Sequence, residues 1–199
     1  MKKNKIAIFD FDGTISYKDS IKEFFKFRYG LFYFFYGYYL RFMPIIFLCL
    51  IKSYSFEDLK KKRIQFFLKN VNTASLKKDI DLFYRKFFAN NLKEEALEKL
   101  KWHKNNGHKI VILSASLDII LRKWCLKNGY LLITNNLVVL DNKFTGEFEG
   151  KDCNGEEKAK RLKNTININN FDFIYGYGDT DSDLAFLKLV DKSYFQYFK

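Results

Sequence analysis

Acidic residues directly follow two short apolar runs near opposite ends of this 199-residue chain. Ile6-Ala7-Ile8-Phe9 leads into Asp10-Phe11-Asp12-Gly13-Thr14, and 171–177 leads into Gly178-Asp179-Thr180-Asp181-Ser182-Asp183. Apolar runs of this length are typical of strands buried on both faces of a parallel sheet. The carboxyl ends of such strands share one edge, where ligands bind in α/β proteins. The chain is therefore predicted to fold around a sheet that carries acidic residues at that edge.

Strands and helices are predicted to alternate outside residues 20–89. The predicted strands are 5–11, 109–113, 130–134 and 171–177, with a hairpin formed by 137–140 and 144–148. The predicted helices are 92–106, 117–128, 156–164 and 182–189. Alternation of this kind implies an α/β fold, with a Rossmann-like parallel sheet and helices on both of its faces.

Residues 20–89 lack strand and turn signals and are predicted to form a helical insertion. The predicted core is therefore discontinuous, 1–19 and 90–199, with an apolar and basic cap between the two parts. Within the insertion, 29–51 contains a single charge, Arg41, and is long enough to cross a bilayer. Three interpretations stay open: buried cap helices, an interfacial or re-entrant hairpin, and a membrane span. The span is the least favoured, because it would put the two parts of one core on opposite sides of a membrane.

Positive charge and aromatic residues concentrate in the same insertion. The net charge is +12, and 21–69 contains ten basic and three acidic residues. Twelve of the 38 aromatic residues fall within 24–42. An ordinary lysine-rich surface explains the charge, and so does attraction to an anionic membrane surface through 24–51. The aromatic residues run on with Ile and Leu instead of alternating with Lys, so no nucleic-acid partner is expected.

The cysteines suggest a reducing compartment. Cys49, Cys125 and Cys153 are odd in number, far apart and without Cys-x-x-Cys spacing. This pattern argues against a disulfide framework and against a zinc site. The first apolar run is also too short for a signal peptide. We expect a cytoplasmic protein, with peripheral association at the inner face of the membrane as one interpretation.

The first acidic pair suits a metal ion. Asp10 and Asp12 are predicted to point to the same side of an extended chain. A plain Asp-x-Asp-Gly turn would explain them, and so would a cation that neutralises both. Together with Asp179 they could form an all-oxygen Mg²⁺ site. N-capping by Asp181 or Ser182 accounts for one acid of the second cluster, but not for all of them.

Two further positions suit a phosphate. Ser114-Ala115-Ser116 follows a predicted strand and precedes a helix, where a hydroxyl and free backbone N–H groups can hold a phosphate oxygen. The alternative for Ser116 is a helix N-cap. Lys158 lies at the start of a predicted helix, where a cation opposes the helix dipole unless an anion compensates it. An ordinary surface lysine is the alternative there.

These motifs, in this order, resemble the haloacid dehalogenase superfamily: Asp10-Phe11-Asp12-Gly13-Thr14, Ser114, Lys158, and Gly178-Asp179 with Asp183. Phe144-Thr145-Gly146 and 153–158 resemble subfamily IB, which includes phosphoserine phosphatase and carries a helical cap after the first motif. The apolar character of the cap is similar to that of the phosphatidylglycerophosphatase C-like members of the subfamily.

The resemblance implies a mechanism. Asp10 would attack phosphorus, and Asp12 would act as general acid and then as general base. Mg²⁺ would be held by Asp10, the backbone carbonyl of Asp12 and Asp179, with Asp183 near its waters. The phosphate would be bound by Gly13, Thr14, Ser114, Ala115 and Lys158.

The function expected from these features is that of a Mg²⁺-dependent phosphomonoesterase with an aspartyl-phosphate intermediate. A lipid or another amphipathic phosphate is the first candidate substrate, because the cap is so apolar. The alternative is a small soluble metabolite, such as phosphoserine or a sugar phosphate. A phosphotransferase on the same scaffold and a basic nucleic-acid-binding protein are weaker alternatives.

Overall fold

A computed structural model describes residues 4–199 of the chain. Met1, Lys2 and Lys3, which the prediction places at the start of the core, lie outside the described residues. The strands are β1 (Lys5–Phe9), β2 (Lys109–Leu117), β3 (Leu131–Asn135), β4 (Leu137–Leu140), β5 (Lys143–Phe148), β6 (Phe173–Gly178) and β7 (Lys192–Phe195). Five of them form a parallel sheet in the order β3-β2-β1-β6-β7, and β4 pairs with β5 as an antiparallel hairpin.

Helices cover both faces of the sheet and fill the insertion between β1 and β2. They are α1 (Ser20–Tyr29), α2 (Leu31–Phe35), α3 (Met43–Leu50), α4 (Phe56–Leu68), α5 (Thr73–Asn90), α6 (Glu94–Asn105), α7 (Asp118–Asn128), α8 (Glu156–Thr165) and α9 (Leu184–Leu187). A π-helical turn, Tyr36–Leu40, follows α2, and 3₁₀ turns occupy Ile168–Asn170 and Asp181–Asp183.

Alternate residues of β1 belong to two separate cores. Ile6 and Ile8 are buried in the layer that contains α8 and α9, whereas Ala7 and Phe9 are buried in the layer that contains α6 and α7. A strand buried on both faces has no polar alternation, and this is why the short apolar run predicted it. The predicted Rossmann-like parallel sheet is confirmed.

The element boundaries differ from the predicted ones at the sheet edge that carries the acids. β1 ends at Phe9 instead of residue 11, because the chain turns there and the N–H groups of Ile15 and Ser16 both donate to the Phe11 carbonyl. β2 continues to Leu117, four residues beyond the predicted end. The helix predicted over 182–189 is a 3₁₀ turn followed by the four-residue α9.

β7 was absent from the prediction. It is an edge strand whose residues are mostly exposed, so it lacks the apolar run that predicts an inner strand. It pairs in parallel with β6 over Tyr175–Gly178 and extends the sheet by one strand.

The helical insertion leaves and re-enters the core at adjacent points. The Lys93 N–H donates to the Ile15 carbonyl at 2.8 Å, and the Tyr17 N–H donates to the Asn91 carbonyl at 2.9 Å. Between these points α1 to α5 span Ser20–Asn90, and we call this segment the cap. The division into a discontinuous core and a cap over 20–89 stays a prediction.

The cap buries some of its aromatic residues and exposes others. Phe25 and Phe34 are buried and pack with Phe67 of α4, and Phe24 is buried against Phe25 and Phe83. Exposed apolar side chains cover α2, the π-helical turn, α3 and the start of α4: Leu31, Phe32, Tyr33, Phe35, Tyr36, Tyr39, Leu40, Met43, Phe47, Leu48, Leu50, Ile51 and Phe56. We call this set the apolar face. The interpretation as an ordinary buried cap therefore holds for only part of 24–51.

In the described part of the chain, no single helix has the length and hydropathy of a membrane span. Leu31–Leu40 and Met43–Leu50 meet that requirement only as a pair, and the pair is bent by 47°.

Candidate active site

The Asp10 carboxylate lies just beyond β1, where the Asp10 N–H donates to the Tyr177 carbonyl of β6 at 2.9 Å. Its Oδ1 accepts a hydrogen bond of 2.5 Å from Lys158 Nζ, and both side chains are buried. Burial raises the pKa of Asp10 to about 7, while the Lys158 ammonium opposes the rise. The structure thus holds the almost completely buried Asp10 carboxylate against the ammonium group of Lys158.

Lys158 lies in the first turn of α8 and contacts Asp183 as well as Asp10. Burial alone would lower the pKa of Lys158, but the two carboxylates outweigh burial and raise it. The interpretation as a surface lysine is wrong, because the side chain is only 2% exposed. The carboxylates of Asp10 and Asp183 are anions of the kind that the position of Lys158 in the first turn of a helix predicted.

Asp12 is held apart from Asp10 by the start of α1. Its Oδ1 accepts from the Ser20 N–H at 2.8 Å, and its Oδ2 accepts from the Ser20 hydroxyl at 3.0 Å. Burial, and next the charge of Asp19, raise the pKa of Asp12 well above its usual range, against the hydrogen bonds from Ser20. A carboxyl whose pKa is raised in this way is suited to donate a proton.

Three carboxylates meet at the ends of β1 and β6. Oxygen atoms of Asp10, Asp179 and Asp183 lie within 4.8 Å of one another, so they could share one cation. Burial raises the pKa of Asp179, and the charge of Asp183 raises it further against a hydrogen bond from Thr14. A hard divalent cation fits this site, because its ligands are all oxygens and their mutual repulsion would be relieved.

The Asp183 carboxylate, which was predicted to lie near the waters of the metal ion, and the Asp12 side chain both have other contacts. Asp183 already accepts from Lys158 through Oδ1, and from the N–H groups of Asp179 and Thr180 through Oδ2, both at 3.1 Å. The Asp12 carboxylate lies on Ser20 instead of in the cluster. The predicted ligand on Asp12 is its backbone carbonyl, and that assignment stays a prediction.

Gly13 and Thr14 contact Asp179. Gly13 has a φ of +89°, and a Cβ there would overlap the Asp179 carboxylate. The Thr14 hydroxyl donates to Asp179 Oδ1 at 3.0 Å. Their role in phosphate binding stays a prediction. The contacts seen in the structure hold the side chain of Asp179, a candidate metal ligand, in place.

A cavity of about 210 Å³ brings the remaining predicted residues together. Its lining includes Asp10, Asp12, Ser114, Ala115 and Lys158. Residues from β1, β2 and α8 therefore converge on one space, as the shared sheet edge predicted. A phosphate group in this space would contact a lysine, a serine and two candidate catalytic carboxyl groups.

Lys60 of α4 also lines this cavity and was not among the predicted site residues. Its Nζ donates to the Ala115 carbonyl and to both oxygens of Asp152, all at 2.8 Å. The Asp152 side chain is completely buried and also accepts from Asn135 Nδ2 at 2.5 Å. One cap lysine thus joins the predicted phosphate loop to a buried carboxylate of the core.

Asp19, Ile21, Thr180 and Ser182 complete the cavity lining and were also missed as site residues. Asp19 caps α1 by accepting from the Lys22 N–H at 2.9 Å. No local pattern in the sequence distinguishes these residues from ordinary cap and turn residues.

Two helix-capping alternatives are wrong. Ser116 does not cap α7, because that helix starts at Asp118 and Leu117 occupies the N-cap. The Ser116 hydroxyl instead lies 2.6 Å from that of Ser20. Neither Asp181 nor Ser182 caps the second acidic cluster, since Thr180 and Asp183 form the capping box there.

Comparison with known families identifies this arrangement. Residues 7–188 match the family of haloacid dehalogenase-like hydrolases. The chain belongs to this family. The four motifs that carried the resemblance all lie within the matched residues, and the predicted family is confirmed.

Among curated proteins, this haloacid dehalogenase-like hydrolase is similar to Protein CicA from Caulobacter vibrioides. The two are 30% identical over 200 residues, which cover 98% of this chain and 86% of that protein. It is also similar to a phosphoserine phosphatase from Methanocaldococcus jannaschii, with 26% identity over 190 residues, 94% of this chain and 82% of that one.

Solved structures share the fold. A protein of unknown function from Bordetella pertussis superposes with a TM-score of 0.82 at 19% identity, over 96% of this chain and 89% of that one. A substrate-bound phosphoserine phosphatase gives a TM-score of 0.69 at 24% identity, over 98% of this chain and 87% of that one. The family match and the curated phosphatase relative support the predicted enzyme class, a phosphatase of the haloacid dehalogenase family.

Proposed function

We propose that this phosphatase is a Mg²⁺-dependent phosphomonoesterase that works through phosphorylation of Asp10. The observation that carries the proposal is the pairing of two different carboxyl groups on one cavity. Asp10 is held against the Lys158 ammonium, whereas the Asp12 carboxyl accepts hydrogen bonds from Ser20 and, at 3.5 Å, from the Ser16 hydroxyl, and its pKa is raised well above the usual range. Two carboxyl groups in such unlike environments suit a nucleophile and a proton donor.

In the first step, an Asp10 oxygen forms a bond to phosphorus as the bond from phosphorus to the ester oxygen breaks. The Asp12 carboxyl gives its proton to that oxygen, so the product leaves as an alcohol. In the second step, the Asp12 carboxylate takes a proton from water while the water oxygen attacks phosphorus. The bond to Asp10 breaks, inorganic phosphate leaves, and both aspartates return to their starting states.

Lys158 and Ser114 have the positions to hold the transferred group. The ammonium of Lys158 can neutralise phosphoryl oxygens near Asp10, and the Ser114 hydroxyl lies on the same cavity wall. Asp10 and Asp179 would hold Mg²⁺, and Asp183 would bind near its waters. When bound, the ion supplies positive charge that offsets the charge of the phosphoryl oxygens.

A phosphate-release assay tests the reaction. The protein should release inorganic phosphate from a monoester with Mg²⁺ present and lose that activity when a chelator removes the ion. Product analysis with alcohol acceptors separates hydrolysis from phosphotransfer. Turnover that is unaffected by chelation would contradict the metal assignment.

The substrate proposed first is an amphipathic or lipid phosphate. The cavity is small, so a large substrate must extend beyond it toward the cap. The cap carries the apolar face, in which Phe32 is 95% exposed and Phe47 is 61% exposed. Large contiguous apolar surfaces are uncommon on monomeric proteins and mark contacts with membranes, ligands or other proteins.

A small soluble phosphomonoester is the second candidate, and the curated phosphoserine phosphatase relative favours it. A screen over phosphoserine, sugar phosphates and phosphatidylglycerol phosphate, with and without detergent, distinguishes the two. Preference for the lipid only in detergent or vesicles supports the first candidate. Equal activity on soluble esters without detergent supports the second.

Peripheral membrane association belongs to the first candidate. The apolar face would enter the lipid interface, and basic cap residues would lie near lipid phosphates. The protein should co-sediment with vesicles that contain anionic lipid and bind neutral vesicles far less. Failure to pellet with either kind at low salt would contradict the association.

A further inference from the structure

Half of the ten basic residues in 21–69 have acidic partners within the cap or the core. In the described residues, Lys22 pairs with Asp19, Lys26 with Glu23, Arg28 with Asp79, Lys60 with Asp152, and Lys61 with Glu57 and Asp58. Arg63 donates to the Tyr38 carbonyl at 2.9 Å. Of the ten basic residues in 21–69, only four remain outside the ion pairs and hydrogen bonds found within 4–199: Arg41, Lys52, Lys62 and Lys69.

Three of these four line a single cavity of about 500 Å³ between the end of the π-helical turn, α3 and α4. Arg41, Lys62 and Lys69 provide its charge, and no acidic residue contributes to its lining. The Arg41 guanidinium lies 5.3 Å from the centre of the Phe66 ring, which also lines the cavity. Three uncompensated cations in one depression favour an anionic ligand.

The rest of the lining is apolar. Phe42, Ile45 and Phe66 form the walls, and Gln65 adds one neutral polar group. On the outer side of α3, Met43, Phe47 and Leu50 are exposed at spacings of four and three residues. One helix therefore contributes a wall of the basic cavity and part of the apolar face. A ligand with a negative head and an apolar remainder matches this combination.

We propose that the cavity of Arg41, Lys62 and Lys69 binds the phosphate-bearing headgroup of an anionic phospholipid. The lipid phosphate would contact the three cations, and its glycerol and upper acyl carbons would contact Phe42, Ile45 and Phe66. This proposal rests on the peripheral membrane association proposed above and adds a defined headgroup site to it. The site is separate from the catalytic cavity, with which it shares no lining residue.

Charge-matched triple variants test the site. The variant R41Q/K62Q/K69Q removes the three cations of the cavity. The control K127Q/K160Q/K163Q removes three exposed lysines of α7 and α8 that make no ion pair within residues 4–199. Binding to phosphatidylcholine vesicles, with and without phosphatidylglycerol, is measured by co-sedimentation across a range of salt concentrations.

The cavity variant should bind phosphatidylglycerol vesicles about 100-fold more weakly than the wild type, since each basic residue near an anionic surface contributes about a factor of five. The control should keep most of its affinity. Equal loss in both variants would overturn the headgroup site, because it would show a response to net charge alone. Wild-type protein that binds no vesicles would overturn the association itself.

Two further arms separate the lipid from a free anion and from the active site. Titration with inorganic phosphate in the absence of vesicles should give the same binding for the wild type and the cavity variant. Loss of a phosphate-binding event in the variant would assign the cavity to a free anion and overturn the lipid assignment. Hydrolysis of p-nitrophenyl phosphate should be equal in both, which shows that the variant is folded and keeps the proposed catalytic function.

Discussion

Asp10 meets two opposing requirements at the scale of a single residue. The proposed chemistry needs an ionised carboxylate, but the fold surrounds that carboxylate with buried atoms and with the charges of Asp183 and Asp179. Lys158 compensates only part of this cost, so the pKa of Asp10 stays near 7. Residues that carry the chemistry thus reduce the stability of the fold that positions them.

The variant Asp10→Asn should separate these two effects. Phosphate release should fall by more than about 10⁴-fold, because an amide oxygen cannot act as the nucleophile. The thermal midpoint of the metal-free protein should rise, since a neutral group replaces a carboxylate whose ionisation opposes folding. Assays of phosphate release and differential scanning calorimetry measure the two effects. Wild-type turnover would remove Asp10 from its proposed role.

Asp179 and Asp181 provide a matched pair for the metal site. Asp179→Asn should weaken activation by Mg²⁺ at least about tenfold, because one carboxylate of the cluster is lost. Asp181→Asn should have little effect, since Asp181 is exposed and lies outside the cluster. The measurement is activity as a function of Mg²⁺ concentration. Equal effects of the two substitutions would contradict the assignment of Asp179.

The buried imidazole of His103 should make the free energy of unfolding depend on pH. It is completely buried, and its ring nitrogens lie 2.8 Å from His108 Nδ1 and 3.0 Å from the Tyr177 hydroxyl. Burial, then the charges of His108 and Lys99, lower its pKa to about 3. The unfolded chain takes up this proton near pH 6.5, and the folded protein does not. His103 should therefore contribute a fall in the free energy of unfolding of up to about 1.4 kcal/mol per pH unit as the pH decreases from about 6.5 toward 3, whereas the raised pKa of Asp10 contributes with the opposite sign below pH 7.

Urea unfolding at neutral pH and at about pH 5 measures this dependence. Between neutral pH and about pH 5, the free energy of unfolding should decrease less in His103→Gln than in the wild type. The reason is that the difference in protonation of residue 103 between the folded and unfolded states is removed. An unchanged slope in the variant would show that His103 does not stay neutral in the fold.

The sequence identified the residues of the site that follow strands, and it missed those that depend on cap docking. Asp10, Ser114 and Asp179 follow apolar runs, so their convergence on one edge could be predicted from parallel pairing. Lys60 is one of four consecutive basic residues, and nothing local distinguishes it from Lys61 or Lys62. Its contact with Asp152 exists only because α4 lies over the core.

At the scale of elements, the cap and the core are joined by two ion pairs of different kinds. Lys60 of α4 pairs with the completely buried Asp152, whereas Lys123 of α7 pairs with Asp81 of α5 at the surface. The Asp152 carboxylate of the first pair is out of contact with solvent, and Lys60 also lines the cavity of Asp10 and Asp12. The exposed pair also joins cap and core, so it is a natural control.

Double-mutant cycles should distinguish these pairs. The cycle of Lys60→Met and Asp152→Asn should give a coupling free energy of at least about 1 kcal/mol, because Lys60→Met alone leaves a buried charge without its partner. The cycle of Lys123→Met and Asp81→Asn should give a much smaller coupling free energy, because both side chains are exposed and solvent screens their charges. Chemical unfolding provides the free energies. Equal coupling free energies in the two cycles would show that the Lys60–Asp152 pair does not hold the cap on the core more strongly than the surface pair does.

The strands of the core were easier to predict than the elements of the cap. Inner strands such as β1 and β2 combine burial on both faces with a short apolar run, and the sequence shows both. In the cap, Phe34 is buried while Phe32 and Phe35 are exposed, although all three lie in one continuous aromatic run. Composition alone could not separate the buried residues from the exposed ones.

At the scale of the whole molecule, the apolar face is confined to the cap, where all of its residues lie within 31–56. The rest of the surface carries most of the lysines and acids, and large exposed apolar residues such as Leu126 are scattered there. At the membrane surface proposed above, such an uneven distribution would give the protein one preferred orientation.

Replacing Phe32 and Phe47 by Ser should weaken vesicle binding by about 10- to 100-fold, since two large apolar side chains no longer enter the lipid. Hydrolysis of p-nitrophenyl phosphate should not change, because both side chains are exposed and lie outside the catalytic cavity. The control replaces Leu126 and Leu140, which are exposed outside the cap, by Ser. Equal binding by both double variants would contradict insertion through the apolar face.

The paired exit and re-entry of the chain has a consequence for how such enzymes diverge. Tyr17 and Asn91 are hydrogen-bonded neighbours, as are Ile15 and Lys93, so the core closes on itself whatever lies between them. An inserted segment of any length can begin and end there without stretching β1 or β2. Exchange of the predicted cap at these two points would change which molecules reach the cavity of Asp10 and Asp12 while both aspartates keep their places. A different cap could be grafted by design at the same two hydrogen-bonded pairs.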